Sequence, residues 1–385
     1  MFTELHPQRS RGAPASRDVA QQLAAIRAIV KMTHAAMLSE VLAAPVAVVQ
    51  SQPASAYLRP LFDDDAMSER LKWAKRLAGD TQKLVLQQLK QAQELGRFRR
   101  VAPPPDVQSL EALERDFPHC AHVVALLRRR AALSRCSPRP TFRLPPLLLT
   151  GEPGSGKTAF ASRIAAAMSV RCATIDMASL QTAFTVVGLD VGYAQGRAGL
   201  VWDLLQHDCM SPVLILDELD KAQSNGAGDD AAGFLYGLLE PSTARRFVDA
   251  AIGLPIDASM LSWIATSNGT ADIHPAILSR LTVMEINCPT PAQMPAVVAS
   301  IHRELLSNED WAGWFEQHLS AEVVTTLAAL PPRAVRRAIE DAYASAACAG
   351  RRFLIAADVS DSRSTGQQRR QIGFVHSNTG PEIQP

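Results

Sequence analysis

The chain has 385 residues, more than one core usually serves, and 47% of them are hydrophobic against 20% charged, a balance that excludes a wholly disordered protein. Its 39 basic and 38 acidic residues leave no charge excess that would draw nucleic acid or a membrane surface. No apolar run reaches the about 20 residues of a membrane span, and no apolar segment of the secretory kind follows the polar start MFTELHPQRSRGAPASRD.

In chain order, residues 1–17 are polar and expected to be disordered, and 18–140 read as a helical N-terminal region. Leu23, Ile26, Ile29, Val30 and Met37 recur at helical spacing between Asp18 and Leu42. A second helical pattern runs from Ala66 to Leu95 and stops at Gly96, and Pro103, Pro104 and Pro105 mark a linker. A third covers Val107 to Leu133, and its basic end, LLRRRAALSR, reads as a solvated helix C-terminus. From Leu147 the texture changes to short apolar strands between helices: LLLT, CATID, VLILD, LSWIATSN and TVMEI. That alternation predicts an α/β domain with a mostly parallel sheet over 141–289. Beyond Pro289 three helices are expected, the last opened by Pro331 and Pro332 and closed by Gly350. They make a small helical domain over 290–350, followed by a flexible tail over 351–385. Six cysteines (Cys120, Cys136, Cys172, Cys209, Cys288, Cys348) stand far apart without a CxxC pair. They are expected to be reduced, mostly buried side chains of a cytoplasmic protein.

The stretch TGEPGSGKT carries the pattern G-x-x-x-x-G-K-[ST] from Gly151 to Thr158. Glu152, Pro153, Gly154, Ser155 and Gly156 form a loop whose backbone N–H groups turn inward around phosphates. Lys157 reaches the β/γ-phosphates, and the Thr158 hydroxyl ligates Mg²⁺. An apolar strand leads in and a helix follows, which puts phosphates at a helix N-terminus. In SPVLILDELDKA, Asp217 and Glu218 end an apolar strand, where open α/β sheets bind ligands. Asp217 is assigned to the Mg²⁺ shell and Glu218 to the general base, with Asp220 and Lys221 as a solvated turn. WIATSN ends in Ser267 and Asn268, whose amide can orient an attacking water. Arg280, in HPAILSRL, is placed to serve a neighbouring subunit. Arg333, Arg336 and Arg337 share one helical face, and one of them is expected to touch the phosphates. No N-K-x-D guanine-reading motif follows the sheet.

The order of these elements resembles the AAA+ ATPases, and within them the ATPase module of ATP-dependent Lon proteases. TGEPGSGKT, VGYAQGRAG, SPVLILDELDKA, FLYGLLEP, WIATSN, HPAILSRL and PRAVRRAIEDA carry the likeness over about 145–350. The resemblance implies an AAA+ parallel sheet flanked by helices, a helical lid after it and a helical region before it. It implies ATP and Mg²⁺, with Asn268 as the sensor-1 residue, Arg280 as the arginine finger and Arg333 as the sensor-2 arginine. It implies a hexameric homo-oligomer, since the finger acts in trans, and an ATP-hydrolysing remodelling motor acting on a protein substrate or partner. The alternative is an ATP-gated binding module with slow hydrolysis. A nucleic-acid or membrane partner is not expected. Two departures stand out. About 35 residues follow Gly350, where a Lon-type peptidase domain needs on the order of 200, so no proteolysis is expected. In the substrate-gripping loop, GLDVGYAQGR puts Asp190 and Val191 where Lon-type enzymes carry an aromatic-aliphatic pair, with Tyr193 beyond the glycine.

Overall fold

The computed structural model describes residues 58–77, 79–180, 182–193, 196–222, 224–225, 229–230 and 232–359. The helix expected over Asp18–Leu42, the N-terminal tail and the chain beyond 359 lie outside them. The described chain begins with β1 (Leu58–Pro60), α1 (Asp64–Ala74), α2 (Gly79–Glu94), β2 (Phe98–Arg100), α3 (Val107–Asp116) and α4 (Ala121–Arg135). The α/β part follows as β3 (Leu147–Thr150), α5 (Lys157–Ala167), β4 (Cys172–Asp176), α6 (Phe184–Val187), α7 (Leu200–Leu205) and β5 (Val213–Asp217). Next come β6 (Ser224–Asn225), β7 (Asp229–Asp230), α8 (Leu235–Leu238), α9 (Pro241–Ala244), β8 (Phe247–Val248) and β9 (Pro255–Ile256). The sheet ends with β10 (Ser262–Ser267), α10 (Pro275–Leu278) and β11 (Thr282–Glu285), and the lid is α11 (Met294–Asn308), α12 (Ala321–Ala328) and α13 (Pro332–Cys348).

All five strands read from the sequence pair in parallel, in the order β11-β3-β10-β5-β4. The near-continuous apolar runs of the three central strands, β3, β10 and β5, are what burial on both faces requires, while the edge strands β4 and β11 are largely half-buried or exposed. Alternate residues feed opposite cores. Leu147, Leu149, Val213, Ile215 and Ile264 meet Leu110, Val124, Leu127, Phe160 and Ile164 of α3, α4 and α5 on one side. Leu148, Leu214, Leu216 and Trp263 meet Met67, Val85, Leu89 and Trp202 of α1, α2 and α7 on the other. The Trp202 indole N–H donates to Gln88 Oε1 at 2.9 Å, tying α7 to α2. Residues 58–135 therefore complete both layers of the sandwich instead of standing apart from it. The lid has its own core around Val298, Leu305, Val335, Ile339 and Tyr343.

Several sequence expectations need correction. The pattern over Ala66–Leu95 is two helices, because Gly79 takes a left-handed φ of 67° that turns the chain between them. The pattern over Val107–Leu133 breaks at Phe117, which Pro118 bars from helical geometry. The N-terminal region is not all helical: β1 and β2 pair antiparallel, so the Arg97–Arg100 end of the expected linker is partly strand. Of the six free cysteines only Cys120 and Cys209 are buried. Residues 351–359 are no loose tail, since Leu354 and Val359 enter the lid core. There Arg351 Nη2 holds Asp358 Oδ1 at 2.6 Å. Among the described residues no helix is long and apolar enough to cross a membrane.

Candidate nucleotide site

At the C-terminal tip of the sheet, β3 turns into α5 through Gly151–Gly156. Gly154 and Gly156 adopt φ of 90° and 88°, conformations that side-chain-bearing residues rarely take. A Cβ on Gly151 would be driven into the Ile286 carbonyl, so this position admits only glycine. Lys157 folds over the loop: its Nζ donates to the carbonyls of Gly151 at 2.8 Å and Glu152 at 3.0 Å, and to Asn268 Oδ1 at 3.3 Å. Burial pulls the Lys157 ammonium below its ordinary range, while Asp220 and Asp217 draw it back up. Glu152 projects outward, its Oε2 accepting from the Cys288 thiol at 3.7 Å.

The tip of β5 is wired to its neighbours. Asp217 Oδ1 accepts from the Thr158 hydroxyl at 2.7 Å and from the Thr266 hydroxyl at 2.5 Å. Thr266 Oγ1 in turn accepts from the Glu218 N–H at 3.0 Å. Glu218 is exposed and sits at φ 56°, ψ 48°, a left-handed backbone that a glutamate holds only when its surroundings impose it. Asn268, just past β10, faces the same end and is exposed. Asp220 is no solvated turn: it is buried, with Oδ2 3.6 Å from Lys221 Nζ and Oδ1 without a partner. The hydroxyls of Ser155 and Ser267 are likewise buried and unpartnered. Such atoms cost about 1–3 kcal/mol each unless something meets them. A glycine cradle, an ammonium, a hydroxyl beside a carboxylate and orphaned polar atoms together fit a magnesium-bound nucleoside phosphate.

The three arginines of α13 part ways. Arg333 lies along Gly154, its Cδ 3.4 Å from where a Cβ of that glycine would stand. Arg336 is taken up by Glu304 at 3.1 Å and Glu340 at 3.3 Å, and Arg337 by Asp341 at 3.7 Å. Arg280 is not brought to this cluster. Its Nη1 donates to Ala276 O at 2.6 Å within its own turn. It is exposed beside a cavity of about 490 Å³ that Arg130, Arg143 and Glu240 also line.

In the loop Leu189–Arg197, closed by a bridge between its two ends, Asp190 Oδ1 accepts from the Gly192 N–H at 2.7 Å and Tyr193 is 67% exposed. Asp249 anchors this loop's base from within: its Oδ2 accepts from the Gly199 N–H at 2.8 Å, and its Oδ1 from Ala251 and Ile252.

Sequence reasoning missed three participants. Thr266 lies two residues before Asn268, and period two was the signal that it shares a strand face with it. Asp220 stands two after Glu218. His119, whose Nε2–H donates to Ser155 O at 3.1 Å, comes from the N-terminal region and carried no local signal.

Comparison with known proteins now decides the family of this module. Residues 147–289 match the family model described as "ATPase family associated with various cellular activities (AAA)". The chain carries an AAA domain. Lon protease homolog 2, peroxisomal, of Pichia angusta is 34% identical over 150 residues, which is 39% of this chain and 16% of that protein. Its counterpart in Oryza sativa subsp. indica is 32% identical over 184 residues, 48% of this chain and 20% of the relative. Lon protease of Dictyoglomus thermophilum is 34% identical over 145 residues, 37% and 18%. The chain thus spans a fifth or less of the length of these relatives, across their ATPase region. The fold also aligns with the structure titled "S. cerevisiae Hsp104:casein complex, Extended Conformation" at TM-score 0.51 and 17% identity, covering 64% of this chain and 49% of that one. The AAA domain, its Lon-like character and the helical lid agree with the sequence reading.

Proposed function

We propose that this chain is an ATP-hydrolysing remodelling motor that works on a protein substrate or partner as a homo-oligomeric, hexameric ring. The observation that carries the reading is the cluster at the sheet tip, where Thr158 and Thr266 both donate to Asp217 at 2.7 and 2.5 Å and Lys157 donates to Asn268 at 3.3 Å. ATP would supply a phosphoanhydride bond and Mg²⁺ the charge that neutralises the phosphates. Thr158 and Asp217 would hold the metal and the loop N–H groups with Lys157 the phosphates. Glu218, exposed on its strained backbone beside this pair, would take the proton of a water that Asn268 orients. Arg333 would cover the phosphates from the lid. Arg280, remote from its own cradle, would neutralise charge in the neighbour's site, which is the reason for a ring.

The gripping loop favours the motor over the ATP-gated module. Asp190 spends its carboxylate on capping the turn, and Tyr193 is left as the exposed ring. The relatives are named proteases, which supports protein as the substrate class. No peptidase activity is proposed for this chain. Steady-state phosphate release with Mg-ATP is the test: turnover in wild type that Lys157→Ala abolishes supports the proposal. A folded wild type that releases no phosphate overturns it.

A further inference from the structure

The lid is held to the α/β sandwich by a buried carboxylate on α3. Asp116 closes α3 and is 5% exposed. Its Oδ2 accepts from Arg163 Nη2 at 3.0 Å, on α5, the helix that the phosphate loop opens. Its Oδ1 accepts from Arg303 Nη1 at 2.8 Å, on α11, the first lid helix. Each oxygen thus takes a guanidinium from a different body. Arg115 Nε stands farther off, at 3.9 Å, with its side chain 68% exposed. A carboxylate this buried is costly to leave short of a partner, so moving the lid off α5 meets resistance here. Arg163 lies six residues into α5, about 9 Å along its axis from Lys157. The same lid reaches the other end of that stretch through Arg333 against Gly154.

We propose that Asp116 is a positioning residue: by clamping Arg303 to Arg163 it holds the lid where Arg333 covers the phosphate loop. The triad then sets nucleotide affinity without touching nucleotide. By linkage, nucleotide binding tightens the triad in return. This rests on the reading of Gly151–Thr158 as a nucleotide cradle.

Arg303 carries the test, because its side chain is 54% exposed and its loss spares the buried carboxylate its α5 partner. Two readouts serve. Hydrogen exchange without nucleotide follows residues 107–116 and 294–308 in wild type and Arg303→Gln. Titration with Mg²⁺ and a fluorescent methylanthraniloyl-ATP gives Kd for wild type, Arg303→Gln, Arg333→Ala and the double variant. The clamp predicts faster exchange in both segments and a Kd raised about tenfold by Arg303→Gln, the size of ordinary coupling between sites. It predicts no further rise when Arg303→Gln is added to Arg333→Ala, since both act through one arginine. Unchanged exchange, an unchanged Kd, or effects that multiply in the double variant would overturn it. A wild type that fails to bind the probe would defeat the nucleotide reading instead, and exchange alone would then judge the clamp.

Discussion

At the sheet tip, polar atoms from three chain segments pair at 2.5–3.3 Å, around strands β5 and β10 that are buried on both faces. In the lid, three helices pack around a core of their own, and among the described residues two arginines reach outward: Arg303 pairs with Asp116, and the Arg333 side-chain carbons lie along Gly154. The difference teaches a division of labour. Groups that must keep their spacing through a reaction stand on elements whose movement would tear a shared core, whereas the cover has a core of its own and, among the described residues, one ion pair, Arg303–Asp116, ties it across. The proposed ring would continue this logic, with Arg280 contributing to chemistry only where another copy stands.

The comparison breaks most visibly at Arg280. Arg280→Ala should keep nucleotide affinity and lose about 10³-fold or more in turnover, measured by phosphate release alongside nucleotide titration. Weakened binding instead would place this arginine in its own subunit's site. Next in size is Glu218→Gln, expected to cut turnover by about 10²- to 10⁴-fold while ATP stays bound. Loss of both would make the glutamate a binding group. Thr266→Val removes the donor to Asp217 and the acceptor of the Glu218 N–H at nearly constant volume. An approximately tenfold fall in kcat/KM is expected, from one or two lost hydrogen bonds. An unaffected enzyme would show that the cluster does not depend on its third strand.

How much of this was readable follows the range of the signals. The phosphate loop, the carboxylates on VLILD and the amide after WIATS announce themselves within about ten residues, through glycine placement and polar ends on apolar runs. The strands were legible for the same reason. The sites of residues 58–135 were not, because which sheet face a helix covers depends on partners far along the chain. Asp116 meets Arg163 and Arg303, 47 and 187 positions away, and nothing in ERDF marks that junction. Among Arg333, Arg336 and Arg337 the pattern could not choose, since it is Glu304 on α11 that diverts Arg336.

The smallest effect sharpens the lid side. His302 is buried, shares a 2.6 Å hydrogen bond with the Tyr343 hydroxyl, and is pushed down to about 4 by burial and by Arg303 and His318. The unfolded imidazole, near 6.5, binds its proton more readily, so lid stability from this group is complete above pH 6.5 and drains as pH falls toward about 4. His302→Gln should flatten that acid slope by about 1–3 kcal/mol, read from denaturant melts between pH 7 and 5. An unchanged slope would mean that the imidazole already titrates normally in the folded lid.

The central claim is that each site is built by two subunits, one giving Glu218 and the next Arg280. Mixing purified Arg280→Ala with purified Glu218→Gln tests it most directly, because some interfaces then join an intact Glu218 to an intact Arg280. The account predicts that phosphate release, close to nil for either variant alone, returns on mixing to a sizeable fraction of wild type. Release that stays at the sum of the two variants, although mixed rings form, would contradict it.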